Sequence, residues 1–251
     1  MKVYFISDLH IQAATDPLYQ PLLKIIGQLQ AGDYLVLAGD IFDLFLGSKR
    51  NFSCEYIEFI ERVRQASERG VQIHYIEGNH DFLMQAAFSR MKNVTVHHSE
   101  AVLDLQGRKI YIAHGDLVDR NDYKYRALRA VFRSAPLKVA VSLMPESLAE
   151  SIGKKLSQHG KTQRPISAER LASPRRDALR QVFRSFAENK IREGFTYVVL
   201  GHCHDLDEQE FNNPENTGRY YNLGYPRIHK SYLIWNVDSG KEPQFAIYPE
   251  F

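Results

Sequence analysis

Val3-Tyr4-Phe5-Ile6-Ser7-Asp8-Leu9-His10 decides the reading of this chain: an aromatic and β-branched run passes directly into a D-x-H motif. The run predicts a buried strand. The same arrangement recurs four times. Tyr34-Leu35-Val36-Leu37 leads to Gly39-Asp40, and Ile73-His74-Tyr75-Ile76 to Gly78-Asn79-His80-Asp81. Ile110-Tyr111-Ile112 leads to His114-Gly115-Asp116, and Tyr197-Val198-Val199-Leu200 to Gly201-His202-Cys203-His204. In an open α/β sheet, ligands collect beyond the carboxyl ends of strands. Five strand ends each delivering His, Asp or Asn to one place predict a metal site.

Between the first runs, Leu18, Leu22, Ile25, Ile26 and Leu29 recur at helical spacing before Gly32-Asp33. Residues 53–68 repeat the pattern, with Tyr56, Ile57, Ile60 and Val63 facing inward. This β-α-β-α-β rhythm predicts parallel strands with right-handed crossovers, hence an α/β fold. From Val94 the runs shorten (94–98, 102–105, 109–113), with Gly107-Arg108 as a turn, and predict antiparallel pairing. Further strands are expected at 196–200, 219–223, 232–237 and 244–248.

A chain of 251 residues, 44% hydrophobic, suits one large domain spanning 1–251. The net charge of +2 is unevenly spread: residues 117–194 hold 17 Lys/Arg against 8 Asp/Glu. That segment reads as a helical insertion on an acidic body. Leu128, Val131, Phe132 and Ala135 would form an apolar face and Arg126, Arg129 and Arg133 a basic one. Leu179, Val182, Phe183 and Phe186 would give a second helix its core face, after a Ser173-Pro174 start and a polar loop over 158–174. Two cysteines, Cys54 and Cys203, make neither a disulfide framework nor a CxxC zinc pair. No apolar stretch approaches the roughly 18 residues of a membrane span, and Met1-Lys2 enters the first strand without a signal-peptide pattern. A cytoplasmic location is expected, with peripheral contact to the inner membrane as an option.

Two divalent cations about 3.5 to 4 Å apart can clamp a phosphoryl group between them. Asp40 is the natural bridging carboxylate. Asp8 and His10, two apart in an extended segment, would face the same way, as would His202 and His204, with Cys203 pointing away. The division adopted places Asp8, His10, Asp40 and His204 on one ion and Asp40, Asn79, His114 and His202 on the other. The residue types leave open which of His202 and His204 joins which ion. Mixed N and O donors without thiolate suit Mn²⁺, with Fe and Zn²⁺ as alternatives. His80 is placed to protonate a leaving oxygen while Asp81 orients its ring. Asp43 and Asp116 would fix ligand or loop orientation. Any one of these motifs is an ordinary turn former; the ordered recurrence of five carries the inference.

The series D-x-H, G-D-x-x-D, G-N-H-D, H-G-D and G-H-x-H resembles the calcineurin-like metallophosphoesterases. The resemblance implies a four-layer α/β/β/α sandwich and supports the ligand division and the proton-donor role of His80. Gly78-Asn79-x-Asp81-Phe82-Leu83, and His114-Gly115-Asp116 followed by Asp122 and Tyr125, look most like the bacterial UDP-2,3-diacylglucosamine pyrophosphohydrolases of lipid A synthesis. That likeness implies hydrolysis of a nucleotide-linked lipid to UMP and 2,3-diacylglucosamine 1-phosphate, with the helical insertion as a lid over the acyl chains. His80 stands where that subfamily carries Arg, and Cys203-His204-Asp205-Leu206 where it carries Thr-His-Arg-Pro.

Expected substrate contacts are Asn79, His80, Asp122, Tyr125 and Arg126. Leu137, Val139, Val141, Leu143 and Met144 are candidates for an acyl cavity or a bilayer contact. A nuclease or other phosphodiesterase could use the basic segment to track a phosphate backbone. Its aromatics between 126 and 194 are only Phe132, Phe183 and Phe186, which argues against base stacking and makes nucleic acid the weaker partner. A non-catalytic binding module should show degraded ligands, and all the ligand positions are intact.

Overall fold

Alternation along the first strand, β1 (Lys2–Ile6), decides which layer each side chain enters: Val3 and Phe5 face one side, Ile6 the other, and all three are buried. The computed structural model describes residues 1–49, 54–132, 134, 144–145, 174–214 and 216–249. After β1 come α1 (Tyr19–Gln28), β2 (Tyr34–Ala38), β3 (Phe45–Leu46), α2 (Ile57–Glu68), β4 (Gln72–Ile76), β5 (Asp81–Phe82), α3 (Gln85–Phe88) and β6 (Val94–His97). The chain continues through β7 (Glu100–Leu105), β8 (Arg108–Ala113), α4 (Tyr123–Phe132), α5 (Pro174–Arg192) and β9 (Tyr197–Leu200). It ends with β10 (Leu206–Asn212), β11 (Thr217–Leu223), α6 (Pro226–His229), β12 (Ser231–Asn236) and β13 (Gln244–Ile247).

Two sheets stack face to face. The six-stranded sheet runs β13-β12-β1-β2-β4-β6 and the five-stranded one β10-β11-β9-β8-β7. Val3, Phe5, Val36, Ala38, Ile76 and Trp235 from the first sheet meet Ile110, Ile112, Val199 and Tyr221 in the layer between them. Outside the first sheet, Ile6, Leu35, Leu37 and Tyr75 pack on α1 and α2 through Leu22, Ile26, Phe59 and Val63. Outside the second, Tyr111, Val198 and Tyr220 pack on Phe183, Ala187 and Ile191 of α5. The order is helix, sheet, sheet, helix, as expected. Each such fully buried large side chain contributes roughly 1.5–3 kcal/mol.

Several local expectations are corrected. β6 pairs parallel to β4, because the short α3 returns the chain as a crossover; of the three runs from Val94 to Ala113, only β7 and β8 pair antiparallel with each other. Their turn is Gln106-Gly107, both left-handed (φ 54° and 77°), and Arg108 already belongs to the strand. In α2, Ile57 is exposed and Phe59 takes the core position, its N–H bonded to the Tyr19 hydroxyl at 3.0 Å. In α5, Val182 faces solvent, whereas Ala187 and Ile191 complete the buried stripe. Val131 of α4 is exposed as well. The polar run Leu206–Asn212 forms an edge strand paired antiparallel with β11, which composition alone did not suggest. Arg133, Ala135, Leu137, Val139, Val141, Leu143 and the polar loop over 158–173 lie outside the described residues.

Among the described residues, no helix is long and apolar enough to cross a membrane.

Candidate metal centre

The carboxyl ends of β1 and β2 are laced together. Asp8 N–H donates to the Gly39 carbonyl (3.1 Å), His10 N–H to that of Asp40 (3.0 Å) and Ile11 N–H to that of Ile41 (3.0 Å). These loops are not extended, contrary to expectation. Asp8, His10 and Asp40 have φ of 54°, 47° and 53°, and His202 and His204 have 68° and 56°. Five of the nine left-handed non-glycine residues described are thus expected ligands. Such backbone costs about 1–3 kcal/mol per residue and persists where surrounding structure imposes it. The D-x-H and H-x-H residues converge because each turns through the left-handed region, not because a strand alternates.

Glycine makes room for the ligands. At Gly39 (φ 83°) an added Cβ would sit 2.7 Å from the His114 ring. At Gly201 it would strike the Asp8 carboxylate and Ser7, and at Gly78 the Asp40 carboxylate.

Two groups of donors result. In one, His204 Nε2 lies 3.3 Å from Asp8 Oδ1 and 3.2 Å from His10 Nε2. In the other, His114 Nε2 lies 3.4 Å from Asp40 Oδ2, 3.2 Å from His202 Nδ1 and 3.2 Å from Asn79 Oδ1. Asp40 Oδ2 also approaches His10 Nε2 at 3.8 Å, so this carboxylate stands between the groups. A third overlapping group is His10, Asp40 and His80. Asp40 Oδ1 is fixed separately by the backbone N–H groups of Asn79 (2.8 Å) and His80 (3.0 Å).

The electrostatics fit a divalent cation. Burial pushes the Asp40 carboxyl up, but the imidazoles of His114, His80 and His10 outweigh it and hold the group well below the usual carboxylate range. Asp8 is likewise lowered despite burial, through His204 and His114. Burial drives His10 and His202 down to about 4, leaving them as neutral donors. His114 moves up to about 10 because Asp40, against the effect of burial, draws a proton to it. A buried site that recruits a proton to balance its carboxylates is short of positive charge. The His114 Nδ1–H donates to the Ala38 carbonyl at 3.0 Å, which turns Nε2 toward Asp40.

His80 Nδ1–H donates to the Asp43 carbonyl at 2.8 Å, so Nε2 faces the cluster. The Asp81 carboxylate does not orient this ring. It is fully buried and accepts Tyr75 O–H (2.6 Å) and the N–H groups of Ile41 (2.7 Å), Asp40 (3.0 Å) and Gly78 (3.0 Å). Of the insertion residues, Asp122 caps α4 by accepting Tyr125 N–H at 2.9 Å, and Arg126 is exposed with a 3.3 Å bond to the Leu117 carbonyl. Tyr125 lies over the site, its ring 6.2 Å from that of His202 and its hydroxyl donating to Asp116 at 2.5 Å. Arg129 pairs with the same carboxylate at 2.6 Å.

The five motifs missed a further set. Tyr225 stacks on His204, and Arg227 donates to the His10 carbonyl at 2.7 Å. The buried Asn222 donates to the Gly201 carbonyl at 3.1 Å. The run ending at Leu223 before Gly224-Tyr225 gives the same apolar-then-polar signal as the motifs, but carries no His or Asp. Three arginines one helical turn apart on α5 also reach the fifth motif and the residues just after it. Arg176 donates to the Cys203 carbonyl (2.8 Å), Arg180 forks onto Asp205 (2.5 and 2.9 Å) and Arg184 onto Asp207 (2.8 and 2.6 Å).

Fold and site together define a metal-dependent phosphoester hydrolase. The sequence profile of the calcineurin-like phosphoesterases matches residues 1–206, and the chain belongs to that family. It is 25% identical over 210 residues to a UDP-2,3-diacylglucosamine hydrolase of Pseudomonas aeruginosa, covering 83% of this chain and 87% of the relative. It is 26% identical over 220 residues to the protein of that name from Neisseria meningitidis, covering 80% and 90%. Among solved structures, an archaeal phosphodiesterase is similar at 12% identity and a TM-score of 0.45, covering 98% and 99% of the two chains.

Proposed function

We propose that this protein hydrolyses the pyrophosphate of UDP-2,3-diacylglucosamine to UMP and 2,3-diacylglucosamine 1-phosphate, using two divalent ions. The observation that carries the reading is the position of Asp40, one buried carboxylate facing both His10 and His114. Asp8, His10, Asp40 and His204 hold one ion and Asp40, Asn79, His114 and His202 the other; Mn²⁺ is the expected metal, with Fe and Zn²⁺ as alternatives. When bound, the ions supply Lewis-acid stabilisation of charge on the phosphoryl oxygens. His80, its Nδ1 held by Asp43, presents Nε2 to donate a proton to the leaving oxygen. Its pKa is raised: burial opposes the charge, but Asp40 and the Asp43 carbonyl favour it.

The relatives' shared name and their coverage support the substrate. Tyr125, over His202, is positioned for the nucleotide-lipid, with Asp122 and Arg126 at the same entrance. Tyr123 and Val131 stand exposed on α4 and offer apolar surface to acyl chains or to the cytoplasmic face of the inner membrane. A nucleic-acid substrate is the weaker reading. Arg129, Arg180 and Arg184 of the basic segment are paired with Asp116, Asp205 and Asp207, and so contribute little to backbone tracking.

The test is Mn²⁺-supported turnover of UDP-2,3-diacylglucosamine, following UMP, with Asp40→Ala as control. Absence of UMP from the parent removes the substrate assignment. Parental rates from Asp40→Ala remove the metal assignment.

A further inference from the structure

Tyr225 is held by a closed local frame. Its N–H donates to His229 Nδ1 at 2.9 Å, and the Lys230 N–H closes α6 onto the Pro226 carbonyl at 2.9 Å. Gly224, at φ 73°, leaves the space that the His229 ring occupies, since an added Cβ would lie 2.7 Å from it. Arg227, two residues on, ties this frame to the loop after β1 by donating to the His10 carbonyl (2.7 Å) and to Asp16 Oδ2 (2.6 Å). From this frame the Tyr225 ring lies parallel to the His204 imidazole, with centroids 4.6 Å apart and planes 10° from parallel. It also meets the edge of His10 at 6.0 Å.

His114 is oriented by a hydrogen bond to the Ala38 carbonyl. His204 sits on a left-handed residue with an 18% exposed side chain, and rotation of its ring is limited by its neighbours, Asp8 and His10 at Nε2 and Tyr225 across its face. A face-to-face aromatic contact restricts that rotation, because aromatic rings favour particular relative geometries.

We propose that Tyr225 is a positioning residue for the Asp8–His10–His204 group, its ring setting the angle at which His204 and His10 offer nitrogen to a divalent cation. The inference rests on the metal reading above and assigns a selective effect to one of the two ion positions. The contact needs the ring and not the hydroxyl, so Tyr225→Phe preserves it and Tyr225→Leu abolishes it.

The experiment is Mn²⁺ titration of the full chain by isothermal calorimetry, with bound-ion counts by electron paramagnetic resonance, for the parent, Tyr225→Phe and Tyr225→Leu. Thermal unfolding of each metal-free chain checks that the fold is retained. The expected result is two Mn²⁺ per parent chain, one of them bound at least tenfold more weakly by Tyr225→Leu and the other unchanged, with Tyr225→Phe matching the parent. Parental affinities in Tyr225→Leu, equal weakening of both ions, or a Tyr225→Phe as weak as Tyr225→Leu would each overturn the proposal. A parent that binds no Mn²⁺ overturns the metal reading itself and this inference with it, and that outcome is read without any variant.

Discussion

The Asp81 carboxylate accepts the backbone N–H of Asp40 at 3.0 Å, so one acidic residue sets the backbone from which another reaches into the metal centre. In Asp81→Asn the amide nitrogen would meet backbone N–H groups, donor against donor, inside a fully buried pocket. The cost is about 1–3 kcal/mol per unsatisfied group. Both the melting temperature and the retained Mn²⁺ should fall, and a variant equal to the parent in both would remove the clamp role.

His80, proposed above as the proton donor, also belongs to the group of His10 and Asp40. As a donor, its replacement in His80→Gln lowers kcat by about 10²–10⁴-fold while the bound Mn²⁺ count stays at the parental value. Loss of an ion from the variant would make His80 a ligand instead.

Arg180 places its guanidinium fork on Asp205, which is 6% exposed and directly follows His204. Arg180→Ala removes both guanidinium bonds from that carboxylate. The expected loss is about 2 kcal/mol, between the values for exposed and buried pairs, because the arginine itself is 30% exposed. Urea unfolding measures it; an unchanged midpoint would show that solvent replaces the pair.

On the face of the six-stranded sheet turned toward the second sheet, His74 and His97 share a 3.0 Å ring contact, and His74 stacks on Tyr34. Burial pushes His74 down to about 4 and lowers His97 as well. An unfolded histidine titrates near 6.5. Below that pH the unfolded chain binds the extra protons, so stability falls as pH drops from about 6.5 to about 4 and is flat above. His74→Phe keeps the stacking and removes one titration. Its melting temperature should drop less between pH 7 and pH 4.5 than the parent's, and equal drops would mean that the histidines charge freely in the fold.

The layers were legible because each apolar run is short, β-branched and followed by a polar residue at the strand end, as at Leu37-Ala38-Gly39-Asp40. The parallel placement of β6 was not, since a four-residue helix is too short to leave a periodic signal between Asp81 and Val94. Within the site, motif order predicts which residues gather. It does not reveal that Asp8, His10, His202 and His204 turn through left-handed backbone, because that depends on the neighbouring loops lacing together. Tyr225 and the α5 arginines escaped for a related reason: their partners are 21 or more residues away in sequence, and no local spacing marks them.

The two donor groups assigned one ion each draw on both sheets, with Asp8 and His10 following β1 and His204 following β9, and with Asp40 following β2 and His114 and His202 following β8 and β9. A cation seated there acts as a rivet through the seam between the two sheets. Ion affinity and sheet-to-sheet packing then become one linked equilibrium. Trimming Phe5 or Trp235, deep in that seam, should therefore register as weaker ion uptake, and adding ion should restore part of the lost cohesion.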